Sequence, residues 1–105
     1  MILNFKDEVV DAMHASGHDF DDIDFISRNG VGLNEDAFWS AADFDYDNMT
    51  GKQVIDPEFR VTFKDRTWLG RKISRGVEFF KWRSCLDKPV CILSNVSRED
   101  FAKVD

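Results

Sequence analysis

The sequence predicts an α+β fold in one domain: two N-terminal helices packed on a three-stranded antiparallel β-meander, followed by a short C-terminal helix or tail. Three observations carry that expectation. Apolar residues repeat at three and four in the first part of the chain. From Phe59 the period switches to strict alternation, Phe59, Val61 and Phe63 against Arg60, Thr62 and Lys64. The length of 105 residues, with 43% hydrophobic content and ten Phe, suits a single core burying about 65% of the unfolded surface.

Asn4 is placed to cap a helix, with Asp7 in its first turn, where the positive end of the helix dipole favours acids. Phe5, Val9, Ala12, Met13 and the small Ser16 form one helical stripe, and Gly17 suits a left-handed stop. A helix is expected from Phe5 to Ser16. After a polar turn from His18 to Asp22, the set Ile23, Phe25 and Ser27 alternates with Asp24 and Ile26 as a short strand. It ends at Asn29-Gly30, a strong turn dipeptide because both residues accept positive φ. Val31 to Leu33 reads as a brief return. Asn34 then caps a second helix from Glu35 to Phe44, burying Ala37, Phe38, Ala41 and either Ala42 or Trp39.

Asp43 to Gly51 reads as a loop, and Asp56-Pro57 marks entry to the meander. Its strands are Phe59 to Phe63, Thr67 to Ser74 and Val77 to Arg83, turning at Lys64-Asp65-Arg66 and Arg75-Gly76. Gly70 inside the middle strand signals a bulge or a close backbone approach. Two amphipathic helices most simply cover the Phe59, Val61 and Phe63 side. Beyond Leu86 periodicity is lost; Pro89 keeps Lys88 extended. Ser97 and Asp100 form a weak capping box for a helix from Arg98 to Val104.

Charge is segregated along the chain. Residues 1–59 hold fourteen acids against three bases, residues 60–105 eleven bases against six acids, and the whole carries −6. Such asymmetry points to charged partners. The start of the chain, with Lys6, Asp7, Glu8 and Asp11, has no signal-peptide pattern. No apolar run exceeds Val90 to Leu93, so a cytoplasmic protein without membrane contact is expected. Cys85 and Cys91 are too few for a disulfide framework and match no zinc spacing; two free thiols are expected.

Catalytic and metal motifs fail on their spacing. Asp43, Asp45 and Asp47 open like a calcium loop, but Asn48 replaces the turn Gly and Val54 the closing Glu. His14 and His18 share a helical spacing interrupted by Gly17, leaving a metal-assisted site near His14, His18 or Asp45 as the weakest of three readings. No serine sits in a strand-turn-helix elbow, and no Gly-rich phosphate loop occurs. The expectation is therefore a binding protein and not an enzyme, with no cofactor and no metal.

Two surfaces compete for the binding role. Asp21, Asp22, Asp24, Asp43, Asp45 and Asp47 offer an acidic face with Tyr46 as an aromatic anchor, suited to a basic cleft on a partner. Lys64, Arg66, Trp68, Arg71, Lys72 and Arg75 offer a basic, aromatic sheet suited to single-stranded nucleic acid. Against the second, Trp68, Phe80 and Trp82 can serve as core, the cations can answer the acids of the first half, and the net charge repels phosphate.

Phe38 with Ala42-Asp43, Asp45-Tyr46-Asp47, Gly51, Val61, Trp68-Leu69 with Arg71, and Glu78 with Phe80 and Trp82 form a pattern over residues 20–83. In these residues the chain resembles small acidic proteins encoded by phages and prophages, of the anti-CRISPR-like inhibitor kind. The resemblance implies a stoichiometric inhibitor of a host defence protein, acting in the host cytoplasm. Its partner would be a host protein with a basic cleft, for example a Cas effector whose DNA- or PAM-binding cleft is blocked by acidic mimicry of DNA.

Overall fold

A computed structural model describes residues 1–84 and 91–102, with the side chains of 91 and 92 excepted. The expectations for Cys85, for the thiol of Cys91, for Lys88-Pro89 and for the last two residues of the expected C-terminal helix, Lys103 and Val104, lie outside the described residues. The fold is α+β, but the sheet is larger than the meander. Strands β2 (Ile23–Arg28), β3 (Val31–Leu33), β5 (Phe59–Phe63), β6 (Thr67–Ser74), β7 (Val77–Ser84) and β8 (Cys91–Leu93) line up in the order β7-β6-β5-β2-β3-β8. Five are antiparallel in sequence of pairing, and β8 joins β3 in parallel. The expected three-stranded meander is thus one half of a six-stranded sheet, extended because β2 pairs with β5 across the intervening helix and loop.

A second correction concerns the acidic segment. Asp45–Asp47, expected as loop, is strand β4, paired antiparallel with an N-terminal strand β1 (Ile2–Asn4). Asn4 faces Asp45 and also caps helix α1 (Phe5–Ala15) through its side-chain oxygen, 3.0 Å from the Asp7 amide. The stripe Phe5, Val9 and Met13 is fully buried. Helix α2 runs Glu35–Ala41, shorter than expected, because the backbone after Ala42 leaves the helix to feed β4. Arg98–Asp100 forms only a single 3-10 turn.

Strand β2 is re-phased by an irregularity between Ile23 and Phe25. Simple alternation would put Ile23 and Phe25 on one face. Instead Ile23 faces Phe63 and Ile26 faces Val61, so these two share the core side, while Phe25 and Ser27, also buried, lie on the opposite face beside Thr62 and Arg60. The turn Arg75-Gly76 has positive φ at both residues, the geometry that matches strand twist in a tight hairpin.

The core centres on Phe5, whose ring lies 5.6–6.2 Å from those of Phe38, Phe44, Tyr46, Phe59, Phe80 and Phe101. Phe101 comes from the tail and is fully buried, and Ile55 bridges Ala102. The tail therefore closes the core.

Candidate functional site

Glu78 and Arg71 lie on the core-facing side of β7 and β6, where an unpaired charge would be untenable. The Arg71 side chain has no exposed surface. Its Nε and Nη2 donate to Glu78 Oε2 at 3.2 and 2.7 Å, Nη1 to Glu8 Oε2 at 3.0 Å, and Nη2 to the Tyr46 hydroxyl at 2.8 Å. Tyr46 donates in turn to Glu8 Oε1. Glu78 also accepts the Val54 and Ile55 amides at 2.6 and 3.0 Å. The guanidinium plane lies 4.3 Å from the Phe80 ring centroid. Burial opposes the charge on Arg71, but Glu8, Tyr46 and Glu78 outweigh it and hold its pKa up. Burial likewise drives the Tyr46 phenol up, partly offset by Arg71. This hub joins α1, β4, β6, β7 and the strand-free segment at Val54.

Two sequence-based assignments are corrected here. Tyr46 is 6% exposed with its hydroxyl engaged, so it anchors the fold and cannot anchor a partner. Arg71 is answered by Glu8 and Glu78 in the interior and is withdrawn from any nucleic-acid surface.

The acids fall into two groups at opposite ends of α1. Asp43 and Asp45 meet at Asn4, whose Nδ2 donates to both at 2.9 and 3.2 Å; Asp47 receives the N-terminal amine at 3.0 Å. The Met49 amide and then that amine lower the Asp47 pKa. At the other end, Asp19 and Asp22 cap the 3-10 turn Phe20–Asp22, and Asp21 is exposed beside them. Asp24 is exposed at the start of β2. The eleven residues of α1 separate these groups by about 16 Å.

Asp7 and Asp11, which sequence reasoning passed over, span that gap. Both are exposed and stand four residues apart on the polar face of α1, with His14 next; His14 Nε2 lies 3.9 Å from Asp19. The i, i+4 spacing was the available signal. Among the described residues, Asp7, Asp11, Asp21, Asp22, Asp43 and Asp45 form no ion pair with Lys or Arg. Phe20, 43% exposed and edge-on to Trp39 at 5.3 Å, stands among Asp19, Asp21 and Asp22 as the accessible aromatic of this flank. A groove of about 540 Å³ runs along the same helix, with Leu3, Ala12 and Phe80 on its apolar side and Asp7, Glu8 and Asp11 on its acidic side.

The opposite face of the sheet is basic. Register places Arg60, Gly70 and Lys81 in one row and Thr62, Trp68 and Arg83 in the next, with Lys72 beside Phe79. Trp68 lies against Gly70 and carries Arg60 at 4.5 Å and Arg83 at 5.8 Å from its ring. Lys64 and Arg66 sit at one turn and Arg75 at the other, about 25 Å apart along eight-residue β6, so they do not converge.

His18 ties the end of α1 to the sheet. Its Nδ1 is 2.9 Å from Ser16 Oγ, its Nε2 2.8 Å from Asp65 Oδ2, and its ring stacks on Phe63. Hydrogen bonds from Thr67 and His18 hold the Asp65 carboxyl down at about 2. Ser16 Oγ also lies 2.8 Å from the Met13 carbonyl, at the negative end of a helix, which disfavours an alkoxide there. The chain of groups links the end of α1 to the turn between β5 and β6. Among the described residues no group of three His, Cys, Asp or Glu is placed to hold a metal ion, and no helix is long and apolar enough to cross a membrane. No family model, curated protein or solved structure matches the chain.

Proposed function

We propose that this chain is a phage-type inhibitor that binds a cationic cleft on a host defence protein stoichiometrically, an anti-CRISPR protein that occupies the DNA- or PAM-binding cleft of a Cas effector. The observation that supports this reading best is the exposed acidic row Asp43, Asp45, Asp7, Asp11 and Asp19 along α1. Asp21, Asp22 and Asp24 continue it, and Asp47 flanks it. Neighbouring carboxylates about 6 Å apart repel by only about 0.7 kcal/mol in water, so the isolated fold tolerates the row. A basic cleft turns that repulsion into attraction and steers encounter over about 8 Å. Duplex DNA offers one charge per about 1.7 Å of its axis, and a cleft built for it accepts a rigid line of carboxylates. Phe20 and Trp39 take the anchoring role that Tyr46 cannot.

The test is a cleavage assay with a Cas effector, its guide and a PAM-containing duplex, titrated with the chain. Stoichiometric, salt-sensitive inhibition is expected. Replacement of Asp7, Asp11, Asp43 and Asp45 by Asn should weaken it at least tenfold. Undiminished inhibition by that variant means the acidic flank is not the contact.

One observation favours a second reading, a nucleic-acid-binding accessory protein. Arg60, Lys72, Lys81 and Arg83 share the outer sheet face with Trp68 and Phe79, cations interleaved with rings. Anisotropy with single-stranded DNA and RNA at about 50 mM salt decides it; no binding there removes the reading.

A further inference from the structure

Among the described residues, the β7 edge from Phe80 onward has no strand partner, and its position beside the acidic groove defines what would pair with it. Strand β7 ends the sheet order and has β6 on one side only. On its other side the Glu78 amide donates to the Asn48 carbonyl at 2.8 Å, and Asn48 Nδ2 donates to the Glu78 carbonyl at 3.2 Å. Backbone groups alternate between the two edges of a strand, so the N–H and C=O of Phe80 and Trp82 point the same way as those of Glu78. Among the described residues nothing pairs with Phe80 or Trp82 on that side; the edge is bounded by Asn48 at Glu78 and by Trp68 Nε1, which donates to the Ser84 carbonyl at 3.4 Å. Trp82 is half exposed on that stretch.

We infer that the β7 edge along Phe80 and Trp82 takes an extended segment of a partner protein as an added strand, one with lysine or arginine at alternate positions. The inference rests on the reading of the chain as a binder of cationic partners and specifies the form the cation takes. Residues directly opposite on paired strands share a face. Positions opposite Phe80 and Trp82 therefore share the core-side face, and Phe80 lines the groove together with Asp7 and Asp11. Positions between them meet Lys81 and Arg83 on the outer side, which disfavours cations there. A slip of one residue exchanges the two environments, so charge sets the register. Main-chain bonds supply affinity and the alternate pockets supply selectivity, the β-addition mode of peptide recognition. A second copy fits poorly, because pairing of like edges brings Lys81 and Arg83 against their equivalents and joins two acidic flanks.

The test uses a fluorescein-labelled eight-residue peptide of alternating lysine and valine, followed by anisotropy at low and moderate salt. Its controls are a glutamate-valine peptide and a lysine-valine peptide N-methylated on the pairing edge. Trp82→Pro removes an edge N–H where proline is tolerated, and Asp7→Asn with Asp11→Asn removes charge. The expected result is binding of the lysine peptide alone, weakened about tenfold by N-methylation or by Trp82→Pro. The Asn variant should flatten the salt dependence. If circular dichroism shows Trp82→Pro unfolded, slowed hydrogen exchange at the Phe80 and Trp82 amides of the native chain with peptide replaces it. Binding that survives both N-methylation and an unprotected edge overturns the inference while sparing the acidic reading. Equal binding of the glutamate peptide overturns both. Dimers in sedimentation that the lysine peptide does not disperse assign the edge to a second copy and overturn it too.

Discussion

Glu78→Gln should be the most damaging conservative change in this protein. The native carboxylate accepts four hydrogen bonds with no exposed surface: from Val54 and Ile55 amides and twice from Arg71. If the glutamine oxygen replaces Oε2, its amide nitrogen confronts the Val54 amide, donor against donor, where 2.6 Å now separates donor from acceptor. The reversed rotamer confronts Ile55 and Arg71 instead. Either way a donor is orphaned and Arg71 loses its buried counter-charge, leaving only Glu8. Removing one partner of a buried pair costs about 3–5 kcal/mol. At about 2.1 cal/mol/K of unfolding entropy per residue, each kcal/mol moves Tm by about 4–5 °C in a chain of this length, so a fall of roughly 15–20 °C is expected. Thermal and urea unfolding followed by near-UV circular dichroism measure it, with an unchanged urea slope confirming that stability alone moved. Arg71→Met combined with Glu78→Gln should cost less than the sum, by about 1–3 kcal/mol, because the second change removes the charge that the first strands. A Glu78→Gln loss below about 1 kcal/mol, or strict additivity in the cycle, would refute the account of the hub as a coupled unit.

Asp65 is held below its ordinary 3.8, at about 2, chiefly by Thr67 and His18. A lowered folded pKa stabilises the native state above the unfolded value, and that gain disappears as pH falls toward about 2. Tm should therefore drop between about pH 4 and pH 2, and Asp65→Asn should flatten that portion of the curve; parallel curves for the two proteins would exclude Asp65 as a contributor. Gly70→Ala would set its Cβ 2.5 Å from Trp68 Cζ3, forcing the ring from its place beside Arg60. A loss of about 1–3 kcal/mol with an altered near-UV tryptophan signal is expected; unchanged stability and signal would mean the ring does not lie across that glycine.

Local chemistry made much of this legible in advance. Asn4 and Asn34 cap both helices because a short side-chain oxygen satisfies an otherwise free amide within three residues. Phe5, Val9 and Met13 face the core through helical period alone, and the turn at Asn29-Gly30 follows from residues that accept positive φ. Gly70 signalled a bulge or a close backbone approach; what lies against it instead is the Trp68 side chain, in a strand whose register is unbroken. What local chemistry leaves open is pairing over distance. Asp-Tyr-Asp is too short and too polar to read as strand, and becomes β4 only because β1 lies beside it. The re-phasing of β2 depends on its partner β5.

The candidate surfaces divide along the same line. Segregation of acids and bases along the chain is a property of sequence, and it foretold charged faces without locating them. Tertiary packing then chose which charges reach solvent. It drew Arg71 inward to Glu8 and Glu78, and turned Tyr46 onto them, because a sheet bearing a guanidinium on its core side must supply carboxylates there. It also set Asp7 and Asp11 in line with Asp43 and Asp45, residues more than thirty positions away, and among the described residues left the β7 edge without a strand partner beside them. Neither juxtaposition has a local signature, since each depends on where a helix and a sheet edge come to rest in space.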